Sequence, residues 1–263
     1  MFKFQTLILS LTLLEICLAY YKDKLPMSFD MNTMNEYPSA FLSQGSAVPL
    51  KSKVKVVPGI PKAQGGIFLK EKLETLVWET QFKVRVEHIS KISVMSGKRW
   101  EDLFAIWYLL ALPADDRKSI GAFGYNRQYS GLGLFIYKKD DEAYLQVIQD
   151  MGTGIAGNNF PNGLQLGVNG CQLSPELLDK EFTVSMHSQQ SALLDIYVGT
   201  KARNMSTCVK GFASQVLNNK GYLGVSARNS AESVKSLDLN VVKILNKDPN
   251  AYRDDSRDLE AKF

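Results

Sequence analysis

Histidine and cysteine are scarce in this 263-residue chain: two histidines, His88 and His187, and three cysteines, Cys17, Cys171 and Cys208. Nucleophilic triads and four-ligand zinc sites have little to draw on. Basic blocks are also missing. The 31 basic and 27 acidic residues are spread along the chain and leave a net charge of +4, a solvated surface that argues against nucleic acid as a partner. The alternation Lys51-Ser-Lys-Val-Lys55 fits the outer face of an edge strand, where lysines discourage sheet-to-sheet association. No Glu-x-Asp-x-x-Glu run occurs, and Asp140, Asp141 and Glu142 are consecutive, so in an extended segment they point to alternate faces. The paired carboxylates of a glycoside hydrolase are therefore not evident, and that activity is only a minor alternative. Beyond Leu18 no run approaches the ~18 apolar residues of a membrane span, and no internal repeat is visible.

What is present begins with a leader. Lys3, the apolar run Phe4 to Leu18 and the small-x-small exit Cys17-Leu-Ala19 read as a secretory signal peptide over residues 1–19, cut after Ala19. Glu15 interrupts the run, which is short for a bilayer core of ~30 Å; a retained anchor is the alternative. After cleavage no membrane span is expected, and the mature chain enters an oxidising lumen. Cys171 and Cys208 then remain as a pair that most simply forms one disulfide. Closing that loop stabilises the fold by about 4 kcal/mol on chain-entropy grounds. Asn204-Met-Ser206 is a glycosylation sequon in a polar stretch.

Residues 20–50 are polar and divided by Pro26, Pro38 and Pro49, so they read as an irregular leader packed along the domain. Strand signals follow at close spacing: 54–57, 65–68, 78–88, 104–111, 131–138, 143–149, 163–168, 181–187, 193–198, 221–227 and 237–245. In the longest, Trp78, Phe82, Val84 and Val86 alternate with Glu79, Gln81, Lys83, Arg85 and Glu87, the period of a half-buried strand. A helical turn is expected only within 210–218. This pattern predicts an all-β domain, a two-sheet antiparallel β-sandwich, over residues 36–246. A charged tail, residues 247–263, follows.

Several segments, taken in order, carry a family resemblance. They are Trp78-Glu79 with Phe82-Lys-Val-Arg-Val86, Asp102 with Phe104-Ala-Ile-Trp-Tyr108, Gly131-Leu-Gly-Leu-Phe135, the Cys171 and Cys208 pair, and Gly221-Tyr-Leu-Gly-Val-Ser-Ala227. Together they resemble the L-type, legume-lectin-like domain of the vesicular mannose-binding lectins that carry glycoproteins between endoplasmic reticulum and Golgi. The resemblance implies that the sandwich is a concanavalin-like jelly roll, with a sugar site in loops above the concave sheet and a disulfide where Cys171 and Cys208 stand. It implies that Asp102 accepts hydrogen bonds from mannose hydroxyls, work that suits a carboxylate with its several acceptor sites. Leu103 stands where the family usually has glycine.

The resemblance also places a calcium loop after the Gly131 strand. There Tyr137 takes the position of the first expected aspartate, Lys138 and Lys139 follow, and Asp140 and Asp141 are the remaining oxygen donors, with Asp141 at the position shared by calcium and sugar. Calcium wants six to eight oxygens, so this metal site reads as degraded and no cofactor is expected, with calcium held weakly by Asp140 and Asp141 as the alternative. Thr153 to Asn162 replaces the family's histidine-bearing loop with asparagines 158, 159 and 162, and Ser230 with Ala231 replaces its glycine pair. Tyr129 is either an aromatic platform for a sugar ring or core packing before the Gly131 strand. The carbohydrate-binding candidates are thus Asp102, Asp141, Tyr129 and Ser230.

On this reading the protein is a non-enzymatic lectin, lumenal in the secretory pathway or secreted, that recognises high-mannose N-glycans during glycoprotein transport or sorting. The rival reading is a degenerate lectin fold used for protein contact, with a cargo or co-receptor protein as partner.

Overall fold

The structure is a computed structural model. It describes residues 29–30, 40–50, 53–73, 76–87, 103–113, 129–139, 142–154, 164–174, 177, 180–200, 204–229 and 238–247. The expected signal peptide and all of the expected charged tail beyond Lys247 lie outside the described residues.

Among the described residues fifteen strands follow one another: β1 Phe29–Asp30, β2 Phe41–Gly45, β3 Val48–Leu50, β4 Lys53–Val57, β5 Gln64–Leu69, β6 Trp78–Glu87, β7 Leu103–Leu109, β8 Ser130–Lys139, β9 Glu142–Met151, β10 Gly170–Leu173, β11 Glu181–Gln189, β12 Leu193–Gly199, β13 Ser206–Ala213, β14 Tyr222–Arg228 and β15 Asp238–Lys247. They form two sheets. One runs β13-β12-β11-β6-β15-β4-β3, with β1 paired to β15; the other runs β10-β9-β8-β7-β14-β5-β2. The named strands pair antiparallel throughout, so the expected two-sheet antiparallel sandwich is present.

The period of two explains the assembly. On β6, Trp78, Thr80, Phe82 and Val84 are buried, and they meet Phe182, Val184 and Met186 of β11 and Leu194 and Ile196 of β12 in one core. The facing sheet contributes Phe104, Ile106 and Tyr108 of β7, Leu132, Leu134 and Ile136 of β8, and Leu223 and Val225 of β14. Tyr108 stacks on Trp78 across the sandwich at 5.1 Å. Its hydroxyl donates to the Asn219 carbonyl, and burial pushes its pKa up to about 12.

The β7 sheet is apolar on its other face as well. Phe68, Trp107, Tyr129, Phe135 and Tyr137 form a separate buried cluster there, with Trp107 edge-on to Phe135 at 5.4 Å and its indole N–H donating to the Ser226 hydroxyl at 2.7 Å. Glycine makes room for these rings. A Cβ on Gly133 would lie 2.6 Å from the Phe135 ring and 2.8 Å from Trp107, and one on Gly224 would lie 2.1 Å from Phe68. The Gly-x-Gly-x-Phe pattern is thus a packing requirement of this second face.

Cys171 and Cys208 are bonded, joining edge strand β10 of one sheet to edge strand β13 of the other. Three expectations need correction. Residues 41–45 and 48–50 are strands where an irregular leader is expected; each is short, and Pro49 obscures the alternation of the second. Residues 164–169 are not a strand: Leu166 and Gly167 make isolated bridges to Gly170 and Val209, Asn169 N–H donates to Gln165 O at 3.1 Å in the turn that follows, and the strand begins at Gly170; Gly163, the expected start, lies outside the described residues. Ser206–Ala213 is a strand, so the helical turn is confined to a 3-10 turn, Gln215–Asn218, capped by Ser214.

Candidate functional site

Register decides which candidates share one end of the β7 sheet. Leu103, directly after Asp102, pairs with Arg228, and Arg228 pairs with Gln64. Phe104 pairs with Ile136, and β8 runs three residues further to Lys139, which pairs with Glu142; these two residues flank Asp140 and Asp141 in the sequence. Asn229 follows Arg228 and precedes Ser230. Asp102, Asp140, Asp141 and Ser230 lie outside the described residues, as do asparagines 158, 159 and 162. The described residues that flank the first four converge on a single rim.

Two features of that rim go beyond the sequence reading, the role of Asn229 and the burial of Tyr137. Asn229 is 1 % exposed, and its side-chain amide donates to Pro58 O at 2.8 Å and Ile60 O at 3.0 Å while its N–H donates to Ala63 O at 2.7 Å. One residue therefore clamps the turn 58–63, including Lys62 in left-handed backbone (φ 62°), against the end of β14. An asparagine just beyond a buried strand, facing a Pro-Gly-Ile-Pro turn, is the signal that would have found it.

The second feature is Tyr137. Its ring is 1 % exposed and stacks on Tyr144 at 5.7 Å, and its hydroxyl lies 3.4 Å from Gln146 Oε1. Burial first, and Tyr144 beside it second, push its pKa up to about 12, so at neutral pH it carries no anionic oxygen. An aromatic ring thus fills the position where the family resemblance calls for a carboxylate.

Tyr129 stands elsewhere. The carbonyl of Ser130 accepts from Leu110 N–H, which puts Tyr129 at the far end of β7, about 20 Å from the rim at ~3.3 Å per residue. It is 3 % exposed, packs edge-on to Trp107 at 4.9 Å, and its hydroxyl donates to Ile148 O at 3.2 Å. Of its two expected roles, the structure gives it core packing, and it cannot serve as a platform beside Asp102. That far end carries an open groove of about 540 Å³ with Gln149, Ser191 and Ser214 in its wall.

These observations put a rim of loops over one edge of a two-sheet sandwich, and comparison with known proteins agrees. A family model described as the legume-like lectin family matches residues 19–251. The chain belongs to the legume-like lectin family. No curated protein matches the chain in sequence. Among solved structures, the legume lectin-like domain from Entamoeba histolytica aligns with TM-score 0.65 at 16% identity, covering 84% of this chain and 96% of that one. The Emp47p carbohydrate recognition domain aligns with TM-score 0.63 at 13% identity, covering 80% and 88%. The calcium-bound VIP36 exoplasmic/lumenal domain aligns with TM-score 0.59 at 15% identity, covering 79% and 82%. At these identities the likeness establishes the lectin fold.

Among the described residues, one constellation with catalytic residue types is on the outer face of the other sheet. Ser185 Oγ lies 2.8 Å from His187 Nε2, but Glu79 Oε1 approaches the same nitrogen at 3.6 Å. A triad needs the carboxylate on the opposite ring nitrogen and an accessible hydroxyl. Ser185 is fully buried, and Asp195 is committed to Gly211 N–H at 2.7 Å. This arrangement braces three strands. Among the described residues no group of three His, Cys, Asp or Glu side chains is set to hold a metal.

Proposed function

We propose that the rim is a carbohydrate site for mannose-rich N-glycans, and that the protein acts as a lectin in glycoprotein transport or sorting in the lumen of the early secretory pathway. The convergence of the strand ends flanking Asp102, Asp140, Asp141 and Ser230 carries this reading. The VIP36 domain, one of the similar folds, is described in a form bound to calcium and Man3GlcNAc. Asp102 takes the hydroxyl-accepting role, Asp141 a second polar contact, and Ser230 a hydroxyl contact from the loop after β14. No reaction is assigned to the site.

Calcium does not fit the residues at hand. A site for that ion needs six to eight oxygens, and the neutral, buried Tyr137 supplies none in place of a carboxylate. Binding at this rim is therefore calcium-independent, through direct hydrogen bonds to the sugar.

The test is Asp102→Ala. Mannose-rich glycan binding is expected to be lost while the urea midpoint stays within a few tenths of a molar of the parent. Unchanged binding removes Asp102 from the site.

A further inference from the structure

The sequon Asn204-Met-Ser206 acquires a meaning from its place in the fold. Asn204 and Ser206 are exposed, and they lead into β13, the outermost strand of its sheet. The backbone there is firmly seated: a Cβ on Gly199 would lie 2.4 Å from Asn204 O, so β12 and the sequon are in direct contact, and the disulfide at Cys208 pins the strand a few residues on.

Two links between the sheets tell which end of the sandwich this is. Cys208 is bonded to Cys171, which pairs with Leu145; Leu145 pairs with Ile136, and Ile136 with Phe104. Ser214 Oγ donates to Gln149 Oε1 at 2.7 Å, and Gln149 pairs with Leu132, which pairs with Tyr108. Passing from Cys208 to Ser214 therefore moves from the level of Phe104 toward Tyr108. Passing from Cys208 back to Asn204 moves the other way, toward the Asp102 rim. Laterally, β10, β9, β8 and β7 are successive neighbours, so the disulfide edge lies about 15 Å from β7 at ~4.8 Å per strand. The mannose arms of an N-glycan are several sugar rings from their asparagine and reach across that span.

We propose that Asn204 carries an N-linked glycan whose mannose arms compete for the sugar-binding rim of the same molecule, holding the site in a self-occupied state until the glycan is trimmed. This rests on the rim being a sugar site. Attachment requires a polyprenyl-pyrophosphate-linked oligosaccharide in the lumen. Its anomeric C–O bond to pyrophosphate breaks, a C–N bond to Asn204 Nδ2 forms, and the amide proton leaves with the lipid pyrophosphate. A tethered ligand acts at an effective concentration of about 1 mM, so against a rim Kd of about 0.1–1 mM it weakens apparent affinity for free glycan by roughly two- to elevenfold.

The experiment uses the full chain secreted from glycosylating cells, with a free mannose-rich oligosaccharide as probe. Peptide mass spectrometry first reads occupancy of Asn204. Binding is then compared for the intact protein, the protein treated with endoglycosidase under native conditions, and the variants Asn204→Gln and Ser206→Ala, whose exposed side chains can change without touching the core. Occupancy with a two- to elevenfold gain in affinity after removal supports the proposal. Three results overturn it: an unmodified Asn204, equal affinity with and without the glycan, or a gain accompanied by concentration-dependent association of the intact form, which would place the glycan in a second copy. Absence of binding in every form, with folded protein, overturns it through the sugar-site reading itself, and is distinguishable from equal measurable affinity.

Discussion

Replacing Asn229 by alanine removes the amide that donates to Pro58 O at 2.8 Å and Ile60 O at 3.0 Å from a site only 1 % exposed. Two hydrogen bonds at about 1 kcal/mol each, with two carbonyls left short of a partner, put the loss at about 2–3 kcal/mol. With an m-value of about 2 kcal/mol/M, the urea midpoint falls by about 1 M. Asn229→Asp is the sharper variant. It keeps the volume but faces two carbonyl oxygens with a carboxylate, so at neutral pH it costs more than alanine. Burial raises the pKa of that new carboxyl in the folded state above its unfolded value of about 3.9. Its penalty is therefore greatest at neutral pH and shrinks as pH falls through the folded pKa, where a protonated carboxyl can donate to one carbonyl. Denaturation of both variants between neutral and acid pH checks this. Asn229→Ala within about 0.5 kcal/mol of the parent, or Asn229→Asp no worse than alanine at neutral pH, would refute the clamp.

Other consequences follow from the same structure. The double variant Cys171→Ser with Cys208→Ser reopens a sequence separation of 37 and is expected to lose about 4 kcal/mol, read from denaturation of the parent and variant proteins; a change under 1 kcal/mol would mean the unfolded chain gains little freedom. Tyr108 and Tyr137 have folded pKa values raised to about 12, chiefly by burial. Their contribution is fully present below the unfolded value near 10 and is lost as pH rises from about 10 to about 12, because only the unfolded chain ionises early. Tyrosinate absorbance should therefore appear together with unfolding in that window, and ionisation of both phenols near pH 10 in intact protein would contradict the burial.

Much of the sandwich was legible because its strands alternate. Trp78 to Val84 shows its buried face by period alone, and Tyr222 to Arg228 and Ser130 to Lys139 extend no more than a residue or so beyond their expected bounds at either end. The short strands at 41–45 and 48–50 were hidden because two or three inward positions cannot establish a period, and Pro49 argues for a loop. Strand 206–213 was read partly as helix because its register shifts near Ile196 and Gly211 adopts φ 67°, which breaks the alternation. At the rim, the residue types were visible but their roles were not. Away from the rim, Tyr129 reads in sequence as either a sugar platform or core packing, and its ring is buried on the second apolar face of the β7 sheet. Asn229 reads as an altered loop residue, since its partners lie some 170 positions earlier in the chain.

The most direct test is glycan-array binding by the folded, full-length secreted protein, run with millimolar calcium and again with chelator. The account predicts mannose-rich hits of equal strength in both conditions, since the proposed site holds sugar through Asp102 and its neighbours and the family resemblance puts Tyr137 where a metal-binding carboxylate would stand. Hits that vanish on chelation would contradict the calcium-independent site, and no hits at all would contradict the sugar-binding function.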